Sequence, residues 1–293
     1  MSTISSIDNS IPRLGTPPVT ASAKKRQHSF GEWVLILLVL LYAAALICAP
    51  LAAIFWGSLV KGIAAFVTEL SSAAALSALK LTILLSIGAT IINTLFGICV
   101  AMVLARDRFR GHRLVNGIVD LPFAVSPVIA GFMLILLFGR NGWLTSVSDL
   151  LGLKLVFAWP GMLIVTTFVS LPFVIRELVP VLEQIGQEQE RAAYTMGATP
   201  WQAFWYITLP NIRWGLMYGI SLTFARTIGE FGAVLVVSGG VSKLTESSTL
   251  FIFRSLDDRN YVGAYAMALT LVIISLTVLT LMEFFKKHVH SSE

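Results

Sequence analysis

ERAAYTMGATPWQAFWYITLP, residues 190–210, is a mixed stretch of polar, small and aromatic residues in a chain that is otherwise mostly apolar. On each side of it lies an apolar run long enough to cross a bilayer, which takes about 20 residues. Its small and apolar residues recur at helical spacing, Gly197 interrupts them, and Thr199 before Pro200 is a typical cap and first-turn pair. The stretch is therefore predicted to fold as helix, turn and second helix outside the bilayer.

Composition predicts that the chain as a whole is an all-α integral membrane protein. Of its 293 residues 56% are hydrophobic and 13% are charged, whereas an ordinary soluble domain is about 25% charged. The net charge of +5 comes from basic residues beside apolar runs, a pattern typical of cytoplasmic loops. We therefore expect no nucleic-acid partner. Cys48 and Cys99 lie inside apolar runs, which favours buried hydrophobic thiols over a metal site.

Six apolar runs are predicted to be transmembrane helices, because each can span a hydrocarbon core about 30 Å thick. The runs cover residues 33–56, 78–104, 114–138, 155–181, 214–237 and 262–285. The tail 1–29 is rich in Ser, Thr and Pro without an apolar period, so it is predicted to be disordered. The predicted organisation is therefore this tail, a membrane domain at 30–287 that includes a loop at 182–213, and a second tail at 288–293.

The basic residues predict the orientation of the chain. Those in the N-terminal tail, in the loops after the second and fourth runs, and after the last run outnumber the others by about two to one. Since cytoplasmic loops collect Lys and Arg, both termini and the stretch 190–210 are expected to be cytoplasmic. From periodicity alone, the stretch is equally consistent with a docking element for another protein and with an amphipathic helix resting on lipid headgroups.

The same stretch resembles the cytoplasmic EAA signature of bacterial ABC importer permeases. Ala192, Ala193 and Gly197, followed at a fixed distance by an Ile-x-Leu-Pro ending, match that signature, while Arg191 stands where the family usually has Glu. The resemblance implies a type I ABC importer permease with a coupling helix that docks into an ATPase. The residues it assigns to coupling are Glu190, Arg191, Ala192, Ala193, Gly197, Ala198, Ile207, Leu209 and Pro210.

Longer segments resemble one branch of that family. DLPFAVSPVIAGF (residues 120–132) and ARTIGEFGAVLVVSG (residues 225–239) are similar to sulfate/thiosulfate permease subunits of the CysW type. Molybdate and tungstate permeases are close relatives and form the alternative. A secondary transporter driven by an ion gradient is less favoured, because the spans show no clear internal repeat.

The resemblance also implies partners and a location. These are a homologous second permease subunit, two ATP-binding subunits and a periplasmic sulfate-binding protein, assembled in the bacterial inner membrane. The chain has no GxxxxGK[ST] phosphate loop, so it is expected to be a transport subunit without catalysis of its own. ATP and Mg are expected on the partner ATPase, and no cofactor or metal is expected in this chain.

Charged and proline residues at membrane depth are the candidates for the translocation pathway. Arg226 and Glu230 stand four residues apart, so their side chains can pair on one helix face. Two interpretations stay open: a structural pair, or a pair in which Arg226 attracts the anion and Glu230 prevents tight binding. Ser126 and Pro127 lie where proline frees backbone groups, which predicts either a packing kink or a broken helix lining a cavity. Asp120 and Arg176 are expected near the cytoplasmic helix ends, as a pair or loop anchor.

Overall fold

The computed structural model describes residues 30–107, 109–150, 152 and 154–290, without the side chains of Phe30, Glu32 and residues 285–290. The predicted disordered tail at 1–29 lies outside the described residues. Residues 291–293 lie outside them too. The last described helix continues to His290, so the first half of the predicted C-terminal tail at 288–293 is helical. Of the described residues, those at 30–49 and those from Pro50 to His290 belong to two compact units, and every candidate site residue belongs to the second.

The described residues are helical and contain no strand. The helices are α1 Phe30–Leu59, α2 Ile63–Leu70, α3 Ala73–Arg106, α4 His112–Ala124, α5 Pro127–Phe138, α6 Thr145–Leu150, α7 Trp159–Ile185, α8 Glu188–Thr195, α9 Pro200–Ala203, α10 Leu209–Ile228, α11 Gly232–Ser238, α12 Ser248–Asp257 and α13 Tyr261–His290. A short π-helical segment, Phe204–Thr208, joins α9 to α10.

Four helices among the described residues are long and apolar enough to cross a membrane, or six spans if two bent helix pairs each count as one. The predicted third and fifth runs are those pairs; the break in the third matches the broken-helix alternative at Ser126 and Pro127, whereas the break in the fifth was not expected. α4 and α5 meet at 108°, and the helix Pro200–Ile228 meets α11 at 55°. The first break follows from Pro127, because the residue before a proline is pushed out of the helical region; Ser126 is extended, with φ −58° and ψ 137°.

Close packing of α3 against α7 forms the centre of the second unit. A Cβ added at Gly97 would lie 2.9 Å from Val174 Cγ1, so the two helices approach at a distance that only glycine allows. Asn93 Nδ2 donates to Ser170 Oγ at 2.8 Å and to the carbonyl of Thr167 at 3.1 Å. In lipid the hydrophobic effect does not drive helices together, because the lipid tails are as apolar as the side chains. Helix association there depends on close packing at small residues and on interhelical hydrogen bonds.

The prediction of buried cysteines was wrong. Cys48 and Cys99 are both exposed. An apolar run does not tell which helix face protein covers, because lipid accommodates an apolar side chain as well as a protein interior does.

Candidate functional site

The stretch 190–210 folds as the predicted helix, turn and helix. α8 ends at Thr195, and the turn after it passes through Gly197, whose φ of +87° lies in a region that glycine adopts without strain. Thr199 then caps α9: its hydroxyl accepts from the N–H of Gln202 at 3.3 Å, and Gln202 Oε1 accepts from the N–H of Thr199 at 2.8 Å. This capping box confirms the predicted start of the second helix.

The second helix of this stretch was expected to be separate from the fifth span, but it continues into that span without a break. The N–H of Leu209 donates to the carbonyl of Phe204, five residues back, so the helix widens into a π turn. Pro210 has no N–H to donate, and the wide turn brings it into the first turn of α10. Residues 200–228 therefore form one continuous helix from the turn into the fifth span.

An open groove of about 430 Å³ lies between α8 and the second helix. Met196 and Tyr206 border it and are 88% and 81% exposed, which leaves two large apolar side chains uncovered at this site. The groove gathers several of the predicted coupling residues with small neighbours that allow close approach. Its lining residues are Ala193, Met196, Gly197, Ala198, Gln202, Ala203, Tyr206 and Ile207.

The remaining predicted coupling residues lie outside the groove. Ala192 and Arg191 are exposed on α8, and Arg191 Nη2 donates to Gln187 Oε1 at 3.1 Å. Leu209 packs against the core around Ile212. Pro210 is exposed at the start of α10.

Glu190 points into the protein instead of toward a partner. It is 6% exposed, and its carboxylate accepts from Arg106 Nη2 at the end of α3 and from the hydroxyl of Thr208 in the π segment. The Arg106 side chain is itself 13% exposed. This buried pair ties α8 to two other elements. Sequence reasoning missed the bonds of Arg106 and Thr208 to Glu190. The two residues are 84 and 18 positions from Glu190, and neither separation gives a local pattern that links them to it.

The two helix breaks lie against each other. A Cβ added at Gly232 would lie 3.3 Å from Pro127 Cβ, and one added at Gly131 would lie 2.7 Å from the carbonyl oxygen of Ala233. Beside them opens a cavity of about 360 Å³. Its lining residues are Pro122, Phe123, Ala124, Val125, Ser126, Pro127, Val169, Phe173 and Arg226. Arg226, which is distant in sequence from Ser126 and Pro127, thus shares one cavity with them.

Glu230 lies behind that cavity and pairs with Arg226. Arg226 Nη1 donates to Glu230 Oε2 at 2.8 Å; the Arg226 side chain is 35% exposed, whereas that of Glu230 is 3% exposed. Glu230 Oε1 accepts from the N–H of Ala233 at 3.1 Å, and its carbonyl accepts from the hydroxyl of Thr249 at 2.8 Å. Glu230 therefore holds the broken span together, while Arg226 presents its charge to the cavity. A part in transport for either residue stays a prediction.

Two broken spans beside a polar cavity, together with an external helix–turn–helix continuous with a span, define the class: a membrane permease with the type I ABC importer fold. The structure aligns with a chain of a bacterial alginate ABC transporter, solved in complex with an alginate pentasaccharide-bound periplasmic protein. The TM-score is 0.72 over 88% of this chain and 94% of that chain, at 18% sequence identity. The chain belongs to the family of binding-protein-dependent transport system inner membrane components, whose model matches residues 93–291.

Sequence relatives agree with that membership. The sulfate transport system permease protein CysW of Synechocystis is 46% identical over 85% of this chain and 90% of its own length. CysW of Escherichia coli is 40% identical over 92% of both chains. The Escherichia coli sulfate transport system permease protein CysT is 36% identical over 82% of this chain and 87% of its own length. These relatives are permease subunits and not enzymes themselves.

Proposed function

We propose that this chain is the permease subunit of an ATP-driven sulfate/thiosulfate importer in the bacterial inner membrane, with both termini cytoplasmic. The observation that carries the proposal is the likeness to sulfate permeases over most of both chains. That likeness favours sulfate over the molybdate and tungstate alternative. A cavity with an arginine at helix breaks is chemically suited to an oxyanion, because a guanidinium matches oxyanion geometry with several donors.

The partners in this proposal follow from the relatives and the surfaces. Both CysW and CysT relatives match the chain, which supports pairing with a homologous second permease. The cavity is open on this subunit, so the second permease completes the pathway. The exposed groove at Met196 and Tyr206 receives an ATP-binding subunit, two of which bind ATP and Mg for the complex. A periplasmic sulfate-binding protein delivers the anion.

The continuous helix 200–228 connects the groove to the cavity. Arg226 lies about 27 Å along this helix from Thr208, at 1.5 Å per residue, so a rigid tilt at the groove displaces the guanidinium. The pair between Glu190 and Arg106 transmits the same movement to α3. In this mechanism the ATPase supplies the energy, and this chain contributes motion and electrostatics without reacting chemically.

Arg226, Glu230 and Ser126 have separate parts in handling the anion. Arg226 uses one nitrogen for Glu230 and offers its other N–H groups to an oxyanion in the cavity. Ser126, exposed at the break, offers a hydroxyl. Glu230 keeps the site nearly neutral, so that a dianion binds weakly enough to leave, which conduction requires.

Uptake of labelled sulfate by proteoliposomes containing the purified complex and its binding protein tests the substrate. We expect unlabelled thiosulfate to compete with sulfate, and molybdate and tungstate to compete poorly. Stronger competition by molybdate and tungstate than by sulfate itself would assign the chain to the alternative branch.

A further inference from the structure

A second arginine lies on the side of the cavity that leads toward α8. Arg176 of α7 pairs with Asp120 of α4: Arg176 Nε donates to Asp120 Oδ1 at 2.9 Å, and Nη2 donates to Oδ2 of the same carboxylate. The two side chains are 33% and 45% exposed, so the pair is not buried between the helices. Nη1 of Arg176 donates to none of the residues that the structure describes.

The pair lies deeper in its helices than a loop anchor requires. Asp120 follows the start of α4 at His112 by eight residues, or about 12 Å, and Arg176 precedes the end of α7 at Ile185 by nine, or about 14 Å. The expected pair between Asp120 and Arg176 is present, and its position near the cytoplasmic ends of the spans stays a prediction.

Two aromatic rings form the part of the cavity wall that is nearest in sequence to this pair. Phe123 and Phe173 pack edge to face, with ring centroids 5.4 Å apart and planes at 81°, and both rings line the cavity. Each phenylalanine lies three residues, or about 4.5 Å along its helix, from a member of the ion pair. Along α7 the order is Val169 and Phe173, which line the cavity, and then Arg176; on α4 Asp120 comes just before Pro122 and Phe123, which line the cavity as well. Phe123 is 55% exposed.

Ionisable residues within membrane-spanning segments are costly and mark ion pathways by default, and the partly exposed side chains of this pair leave the guanidinium accessible on this subunit. A hydrophobic constriction stops an anion by excluding water, and a cation beyond the constriction lowers the barrier to leaving it. Arg176 has the donors for a tetrahedral oxyanion. Asp120 competes for those donors, which prevents the anion from being trapped.

Building on the proposed function, we propose that Arg176 is a second oxyanion site on the translocation pathway, beyond a gate formed by Phe123 and Phe173. When no anion is bound, Asp120 keeps the guanidinium oriented through its two hydrogen bonds. An anion that reaches Arg176 replaces Asp120 as the acceptor of those bonds. The ligand class is the same tetrahedral dianion that reaches Arg226.

Four variants of the assembled complex separate this role from a structural one. Arg176→Gln removes the cation, Asp120→Asn keeps it, and the double variant Arg176→Gln/Asp120→Asn is neutral and leaves no unpaired charge. Arg213→Gln is the matched control, because Arg213 lies over the Trp214 ring, 5.2 Å from its centroid, and lines no part of the cavity. Sulfate uptake, ATPase activity and assembly by size-exclusion chromatography are measured for each.

We expect Arg176→Gln and the neutral double variant to lose about tenfold in maximal uptake rate, the size of one charge-assisted contact, with assembly intact. Arg213→Gln should stay near the parental rate, whereas Asp120→Asn, which keeps the cation but removes the group that competes with the anion for it, should slow uptake less than Arg176→Gln does. If Arg176→Gln fails to assemble, the double variant decides. Parental uptake by the double variant would overturn the proposal, because the pair would then be structural. Absence of ATP-dependent sulfate uptake by the parental complex would instead overturn the proposed function itself.

Discussion

At the scale of single residues, Arg226 and Glu230 have separable parts. Arg226→Gln removes the cavity charge but leaves Glu230 able to cap α11, because Glu230 Oε1 binds the N–H of Ala233 independently. Because the buried Glu230 carboxylate loses its cation, we expect less complex to assemble, and uptake per assembled complex to fall about tenfold, the size of one charge-assisted contact. Glu230→Ala should impair assembly as well, since it removes the cap and leaves Arg226 unpaired. Uptake at the parental rate in assembled Arg226→Gln would exclude Arg226 from the pathway.

Glu190 and Arg191 are neighbours in sequence but differ in their surroundings. Glu190→Ala leaves the mostly buried Arg106 without its partner, so we expect thermal unfolding to show a loss on the order of 3–5 kcal/mol. Arg191→Glu changes an exposed side chain bonded only to Gln187 among the described residues, so the stability change should stay within about 0.5 kcal/mol.

The number of sulfate ions imported per ATP hydrolysed shows whether Arg191 contacts the ATPase. A ratio that falls in Arg191→Glu, with unchanged stability, would assign Arg191 to the docking surface. A ratio unchanged in Arg191→Glu and lowered in Glu190→Ala would place the coupling role in the buried pair alone.

At the scale of helices, the crossing of α5 and α11 depends on Gly131. A Cβ there would lie 2.7 Å from a backbone oxygen that has no side-chain freedom to move away, so Gly131→Ala should separate the two broken spans. Gly117→Ala is the matched control, because a Cβ at Gly117 meets nothing within 4 Å. We expect a lower thermal midpoint and reduced uptake for Gly131→Ala alone. Equal midpoints for both variants would contradict the described crossing.

The helical elements show what sequence can and cannot predict. Apolar runs predicted the spans, and the cap at Thr199 predicted α9, because both signals are local. The break before α11 was missed because its supports, the cap by Glu230 and the bond from Thr249, exist only after distant segments meet. Pro127 marked the other break, but a proline alone does not distinguish a kink from a turn of 108°.

At the scale of the whole molecule, the groove and the cavity lie toward opposite ends of one continuous helix, and that arrangement is the basis of the proposed coupling. The groove residues were predicted because they are close in sequence and match a signature. The cavity was predicted only in part: Ser126, Pro127 and Arg226 were named, whereas the place of Phe173 in its wall follows from tertiary packing. The inward orientation of Glu190 in α8 likewise depends on tertiary packing.

The most direct test of the account is the energy source of sulfate entry. The chain is purified with its co-assembling subunits, reconstituted with the binding protein, and assayed for labelled sulfate accumulation with and without ATP. The account predicts accumulation that requires ATP and binding protein and that does not respond to an imposed proton or sodium gradient. Accumulation driven by such a gradient without nucleotide would contradict it.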